Sequence, residues 1–159
     1  YLAFARGEGG EPVAEVDVAE LVREAAADAR RKFNGEDARV RADAADAVPA
    51  KLKRNAIKRC LANLIDNALK YGTHTAIALK RRASSVDIVV DDDGPGIAME
   101  RREEAFRPFH RLDQGRNLDA GGVGLGLAIA RDIARAHGGD IILEDSPMGG
   151  LRAVLHLPV

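Results

Sequence analysis

The chain has 159 residues and a formal net charge of −1, so no strong overall field draws it to nucleic acid or an anionic membrane surface. Hydrophobic residues make up 46% and charged residues 31%, the balance of a globular domain with its own core. The single cysteine, Cys60, excludes an internal disulfide and a cysteine-rich zinc site, and no apolar run approaches the roughly 18–20 residues of a membrane span.

The chain opens on YLAFARGEGGEP, with no initiator Met and no signal peptide, as expected of part of a longer protein. YLAFAR reads as the last turn of a helix, and Gly7, Gly9, Gly10 and Pro12 then break it, so residues 1–12 are expected to be a linker. PVAEVDV alternates as a strand does, and Asp17 can cap a helix carrying Leu21, Val22, Ala25, Ala26, Ala29 and Phe33 that stops at Asn34-Gly35. ARVRADA suggests a second short strand. A helix is predicted from about Lys51 to Tyr71, followed by Gly72. TAIALKRRASSVDIVVDDDG reads as two strands around a polar turn near Ser84 and Ser85. AMERREEAFRPF suggests a short helix, and HRLDQGRNLDAGG a polar loop without periodicity. GLGLAIARDIARAHGG predicts a helix that starts on glycines and stops on Gly138; DIILED and LRAVLHLP suggest a closing hairpin around SPMGG. Several strands are joined by hairpin-length turns, which favours a mixed sheet with helices on one face, an α/β (α+β) sandwich, over a doubly wound parallel sheet.

Three stretches carry possible chemistry. In CLANLIDNALKYG, Ile57, Leu61, Leu64, Ile65 and Ala68 share the apolar face, while Asn63, Asn67 and Lys70 fall within roughly 60° of one another on another side. Asparagine is a poor helix former. Two of them one turn apart, beside a lysine, suit a hard cation shared with phosphate, or else a partly exposed polar face. DDDGPGI follows a strand and spells Asp-x-Gly-x-Gly at Asp92, Gly94 and Gly96. A carboxylate beside such a turn can accept from the exocyclic amine of adenine; plain hairpins and calcium loops use similar residues, but the donor spacing of a calcium loop is absent. Gly122, Gly124 and Gly126 alternate ahead of a helix, which makes either an anion site at unpaired N–H groups or a structural helix–sheet contact. The spacing is neither the dinucleotide fingerprint nor a Walker loop.

Taken in order, the asparagine helix, the Asp-x-Gly-x-Gly turn, EEAFRPFHRLD, the glycine helix start and GGLRAVLHLP closely resemble the N, G1, F, G2 and G3 boxes of the catalytic ATP-binding domain of bacterial two-component sensor histidine kinases, a Bergerat-type fold. The resemblance covers about residues 13–159. It implies ATP and Mg²⁺ as ligands held between helices and a flexible lid. Asn67 is implied as the metal ligand, with Asn63, Lys70 and Tyr71 beside the phosphates. Asp92 matches the adenine-reading carboxylate, with Gly94, Gly96 and Ile97 forming its turn. Phe106 and Phe109 match the aromatics that brace the lid, and Arg111 an arginine at the lid base that can approach the γ-phosphate. Gly122, Gly124, Leu125, Gly126 and Leu127 match the phosphate-binding helix start. Val123 and Leu151 stand where relatives often carry a hydroxyl residue.

The implied roles divide into Asn63, Lys70 and Arg111 for phosphoryl transfer and the remainder for holding nucleotide. In gyrase-like ATPases of the wider superfamily, and in anti-sigma-factor serine kinases, an acid stands where this chain has Asn63, an amide that cannot activate water. An ATPase, or a scaffold whose ATP site has decayed, are the alternatives. His74, His110, His137 and His156 all lack the H-[ED]-x-x-[TN]-P context of a phosphoacceptor and read as structural or exposed, His137 favouring a helix dipole. The resemblance therefore implies an acceptor histidine on a separate dimerisation domain, onward transfer to a response regulator, and a cytoplasmic location within an inner-membrane receptor.

Overall fold

The computed structural model describes residues 10–32, 39–107 and 126–159. Strand β1, Ala14–Asp17, leads directly into helix α1, Val18–Lys32. Asp17 caps that helix as its sequence promises: Oδ1 accepts from Ala19 N at 3.0 Å and also from Val48 N at 2.9 Å. These backbone donors, Val48 foremost, hold the Asp17 carboxyl below its ordinary value. Next come β2, Val40–Asp43, and β3, Pro49–Leu52. The asparagine helix α2 spans Arg54–Tyr71. Strands β4, Thr75–Arg81, and β5, Ser85–Asp92, precede a 3-10 turn, Met99–Arg101, and the one-turn helix α3, Arg102–Ala105. Helix α4, Gly126–Ala136, then β6, Asp140–Asp145, and β7, Leu151–Pro158, complete the fold.

Helix α2 starts later than its pattern predicts, because residues 49–52 pair antiparallel with β1 from Ala14↔Leu52 to Asp17↔Pro49. Lys53 remains extended, at φ −88° and ψ 105°, so Lys51 and Leu52 belong to a strand. The main sheet runs β2-β4-β5-β7-β6; β2 is parallel to β4 and the other pairs are antiparallel. One face of β5, Val86, Ile88 and Val90, joins the core, together with Ile141, Leu143, Ala153, Leu155 and Leu157 from its neighbours and the apolar faces of α1, α2 and α4. The predicted α2 face, Ile57, Leu61, Leu64, Ile65 and Ala68, is fully buried there. Cys60 packs between α2 and α4, with Sγ 3.4 Å from the carbonyl of Ala130, and burial pushes its thiol pKa up. The other sheet face carries polar pairs: Arg152 forks onto Asp91 at 2.8 and 3.0 Å in an ion pair, and His156 Nδ1 lies 2.7 Å from an Asp87 carboxylate oxygen.

The N-terminus of α2 is capped from a distance. Glu11 accepts from Asn55 N at 2.7 Å and Ala56 N at 3.0 Å, satisfying donors that a helix start leaves open. His137, at the end of α4, lies 2.8 Å from the carbonyl of Ile133 through Nδ1 and 3.2 Å from Lys53 N through Nε2. The carbonyl can only accept and the amide can only donate, so the ring spans the two through its opposite nitrogens. His137 thus bridges the end of α4 to the residue preceding α2.

Candidate functional site

Asp92 is the last residue of β5 and is 2% exposed. It lies on the core-facing side because the strand alternates, placing it in line with Val86, Ile88 and Val90. Its Oδ1 accepts from Gly94 N at 2.9 Å and from Leu151 N at 3.0 Å, while its carbonyl accepts from Gly150 N at 3.1 Å. One carboxylate therefore closes its own turn and ties β5 to the start of β7, with the plane of the carboxyl fixed by two amides.

The glycines around it are demanded by contact. A Cβ on Gly150 would collide with Asp92 Oδ1 and lie 2.5 Å from the Asp92 carbonyl and 2.6 Å from Gly94 N. A Cβ on Gly94 would sit 2.9 Å from the carbonyl of Tyr71, so the turn presses directly against the end of α2. Gly96 adopts φ +71°, which sends Ile97 back into the core, where it is 5% exposed. The structure thus brings together Asp92, Gly94, Gly96 and Ile97 with Tyr71.

On α2, Asn63 and Asn67 are half-buried and Lys70 is exposed. The side-chain nitrogen of Asn63 is buried and has no hydrogen-bond partner among the described residues. An orphaned amide donor costs about 1–3 kcal/mol, and an oxygen-bearing partner at this atom would remove that cost. Gly126 and Leu127 begin α4; Gly126 is exposed, with open space where a Cβ would stand among the described residues. Arg111, Gly122, Gly124 and Leu125, as well as Phe109, His110 and Val123, lie outside the described residues.

Two participants are not evident from their immediate sequence. Asp93 accepts from Thr73 N at 2.7 Å and His74 N at 2.9 Å, and its Oδ2 lies 2.8 Å from His74 Nδ1. The His74 amide foremost, with the imidazole and Thr73, lowers its carboxyl pKa to about 2. Asp93 thereby fastens the chain leaving α2 to the Asp92 turn. Thr75 is 2% exposed, and its hydroxyl donates to the carbonyl of Asp91 at 2.7 Å, one residue from the site. A run of three aspartates signals a charged turn but not which carboxylate faces which way. Among the described residues no group of three or more His, Cys, Asp or Glu could hold a metal ion, and no helix is long and apolar enough to cross a membrane.

Residues 52–159 match the family model described as histidine kinase-, DNA gyrase B- and HSP90-like ATPase. The sensor histidine kinase CpxA of Escherichia coli K12 is 47% identical over 107 residues, which cover 66% of this chain and 23% of that protein. The sensor histidine kinase GtrS of Pseudomonas aeruginosa is 45% identical over 122 residues, covering 77% of this chain and 25% of that one. This chain therefore spans about a quarter of the length of these relatives. The crystal structure of the ATP binding domain of PrrB from Mycobacterium tuberculosis shares 30% identity and a TM-score of 0.75, covering 92% of this chain and 96% of that one.

Proposed function

This chain belongs to the histidine kinase-, DNA gyrase B- and HSP90-like ATPase family, as the ATP-binding catalytic domain of a sensor histidine kinase, and we propose that α2, the 92–97 turn and the start of α4 hold ATP with Mg²⁺ and present its γ-phosphate to a histidine on another domain. The observation that carries this reading is the buried amide nitrogen of Asn63, left without a partner among the described residues. It is a hydrogen-bond donor, the wrong atom for a cation and a suitable one for a phosphate oxygen or an ordered water. Asn67, one turn further along the same stripe, would supply the amide oxygen to Mg²⁺. An ion of this kind keeps several waters and binds mainly through phosphate, so it needs no cluster of protein carboxylates. Lys70 offsets phosphate charge from the exposed end of the stripe.

Asp92 would read adenine. Two backbone amides orient its carboxylate, so little rearrangement accompanies binding. The described residues contribute binding, orientation and charge neutralisation. In-line attack by an acceptor is the remaining requirement of phosphoryl transfer, and water is not activated by the neutral Asn63. Residues 13–159 would form the catalytic domain and residues 1–12 the joint to a helical dimerisation domain that carries the acceptor. A response regulator would then take the phosphoryl group. The reading places this domain in the cytoplasm, where ATP is available.

Calorimetric titration with ATP, with and without Mg²⁺, tests the assignment. Tight binding is expected only with Mg²⁺, and the Asp92→Ala variant loses far more affinity than Arg152→Ala, whose guanidinium lies on the opposite sheet face against Asp91. Equal losses in the two variants would show that the adenine site lies elsewhere.

A further inference from the structure

Between the 92–97 turn and helix α4 lies the short helix α3, and consecutive α3 residues grip the two. Arg102 Nε donates to the carbonyl of Ile97 at 3.0 Å. Glu103, its neighbour, accepts from Arg131 Nη1 of α4 at 2.8 Å. The same guanidinium donates through Nε to Asp140 Oδ1 at 3.1 Å and stacks over the ring of Phe106, with Cζ 4.2 Å from the ring centroid. Its side chain is 15% exposed, while the carboxylates it meets on Glu103 and Asp140 are 77% and 39% exposed, so the guanidinium is packed and its partners stay in contact with water. A single planar, forked cation thus holds the helix that contacts the adenine turn, the aromatic that follows it, and the first residue of β6. Arg131 stands five residues after Gly126, where the phosphate-facing end of α4 begins.

We propose that Arg131 is a positioning residue that locks α3 to α4 and so sets the spacing between the adenine-reading turn and the phosphate end of the site. The proposal rests on the nucleotide reading given above. The chemistry is specific to arginine: lysine can keep one ion pair but cannot fork to two carboxylates and stack on Phe106 together. Loss of the clasp leaves each end of the site intact and frees their relative placement. A ligand touching only the base end should then bind as before, while one spanning both ends should bind more weakly.

The test compares adenosine with Mg–ATP in titrations of the whole chain and of Arg131→Gln, Arg131→Lys and Arg135→Gln. Arg135 lies on the same helix and also contacts Asp140, at 3.3 and 3.4 Å, which makes it the control. Arg131→Gln is expected to bind adenosine within about twofold of the parent and Mg–ATP about tenfold more weakly, the scale of one cation–π contact and one water-exposed ion pair. Arg131→Lys should recover part of that loss, and Arg135→Gln should change neither ligand. Equal weakening of both ligands by Arg131→Gln would mean general destabilisation, and no weakening of either would mean no positioning role; each result overturns the proposal. If the parent chain fails to bind Mg–ATP at all, the nucleotide reading falls and the proposal with it, an outcome distinct from both.

Discussion

At Asp92, one oxygen serves the fold, the proposed function adds a ligand to the same side chain, and the two uses can be separated by substitution. Asp92→Asn keeps an acceptor oxygen for Gly94 N and Leu151 N but replaces the other oxygen with a donor. It should retain the parent melting temperature within a few degrees and, under the proposed function, lose ATP binding by about 100-fold, since the side chain would then present a donor to the adenine amine. Equal melting temperatures with unchanged ATP affinity would refute the assignment. Gly150→Ala is the reverse case. It drives a methyl group into backbone and carboxylate, and should destabilise the chain by about 3 kcal/mol or more, read from urea unfolding. The Asp92 turn was legible in the sequence as an acidic residue followed by spaced glycines. The need for Gly150 was not, because a clash between residues 58 positions apart exists only once β5 and β7 pair (150 minus 92).

Among the elements, α2 was the most legible and its start the least. Its apolar face follows helical periodicity for about three turns, so Ile57, Leu61, Leu64, Ile65 and Ala68 were identifiable as core from spacing alone. Residues 49–52 are too few to display alternation, and Lys51 continues the polar face that a helix would use, so pairing with β1 decides their state. The histidine roles also depend on packing: His137 reads as a dipole partner in sequence, and its bridge to α2 exists only when α4 meets Lys53. The distant caps of α2 make a prediction of their own. Glu11→Ala removes an acceptor shared by Asn55 N and Ala56 N and should cost about 1 kcal/mol in chemical denaturation, with α2's own composition unchanged. An unaltered unfolding midpoint would show that water replaces the carboxylate without loss.

The molecule as a whole should lose stability in acid. Asp93 is held at about 2, against an ordinary value of 3.8, chiefly by the His74 amide. A carboxyl lowered in the folded chain binds fewer protons there than when unfolded, so its stabilisation is complete above the ordinary value and disappears as pH falls toward 2. Asp17, held down first by Val48 N, and Glu24, held down first by the Lys58 ammonium, act in the same direction. Urea midpoints measured between pH 5 and pH 2 should therefore fall steeply, and Asp93→Asn should flatten that slope. An identical slope in the variant would remove Asp93 from the account. Within the proposed function, the same chain incubated with Mg–ATP should leave the nucleotide intact over hours, as followed by phosphate release.

Under the proposed function, the double duty of Asp92 bears on how a lineage of such domains could decay. A descendant that had given up its nucleotide would still need this carboxylate to join two strands, so the aspartate would outlive the chemistry. Asn63 has no such second employment among the described residues. Its exchange for leucine or alanine, with Asp92 retained, would be the earliest mark of a retired enzyme.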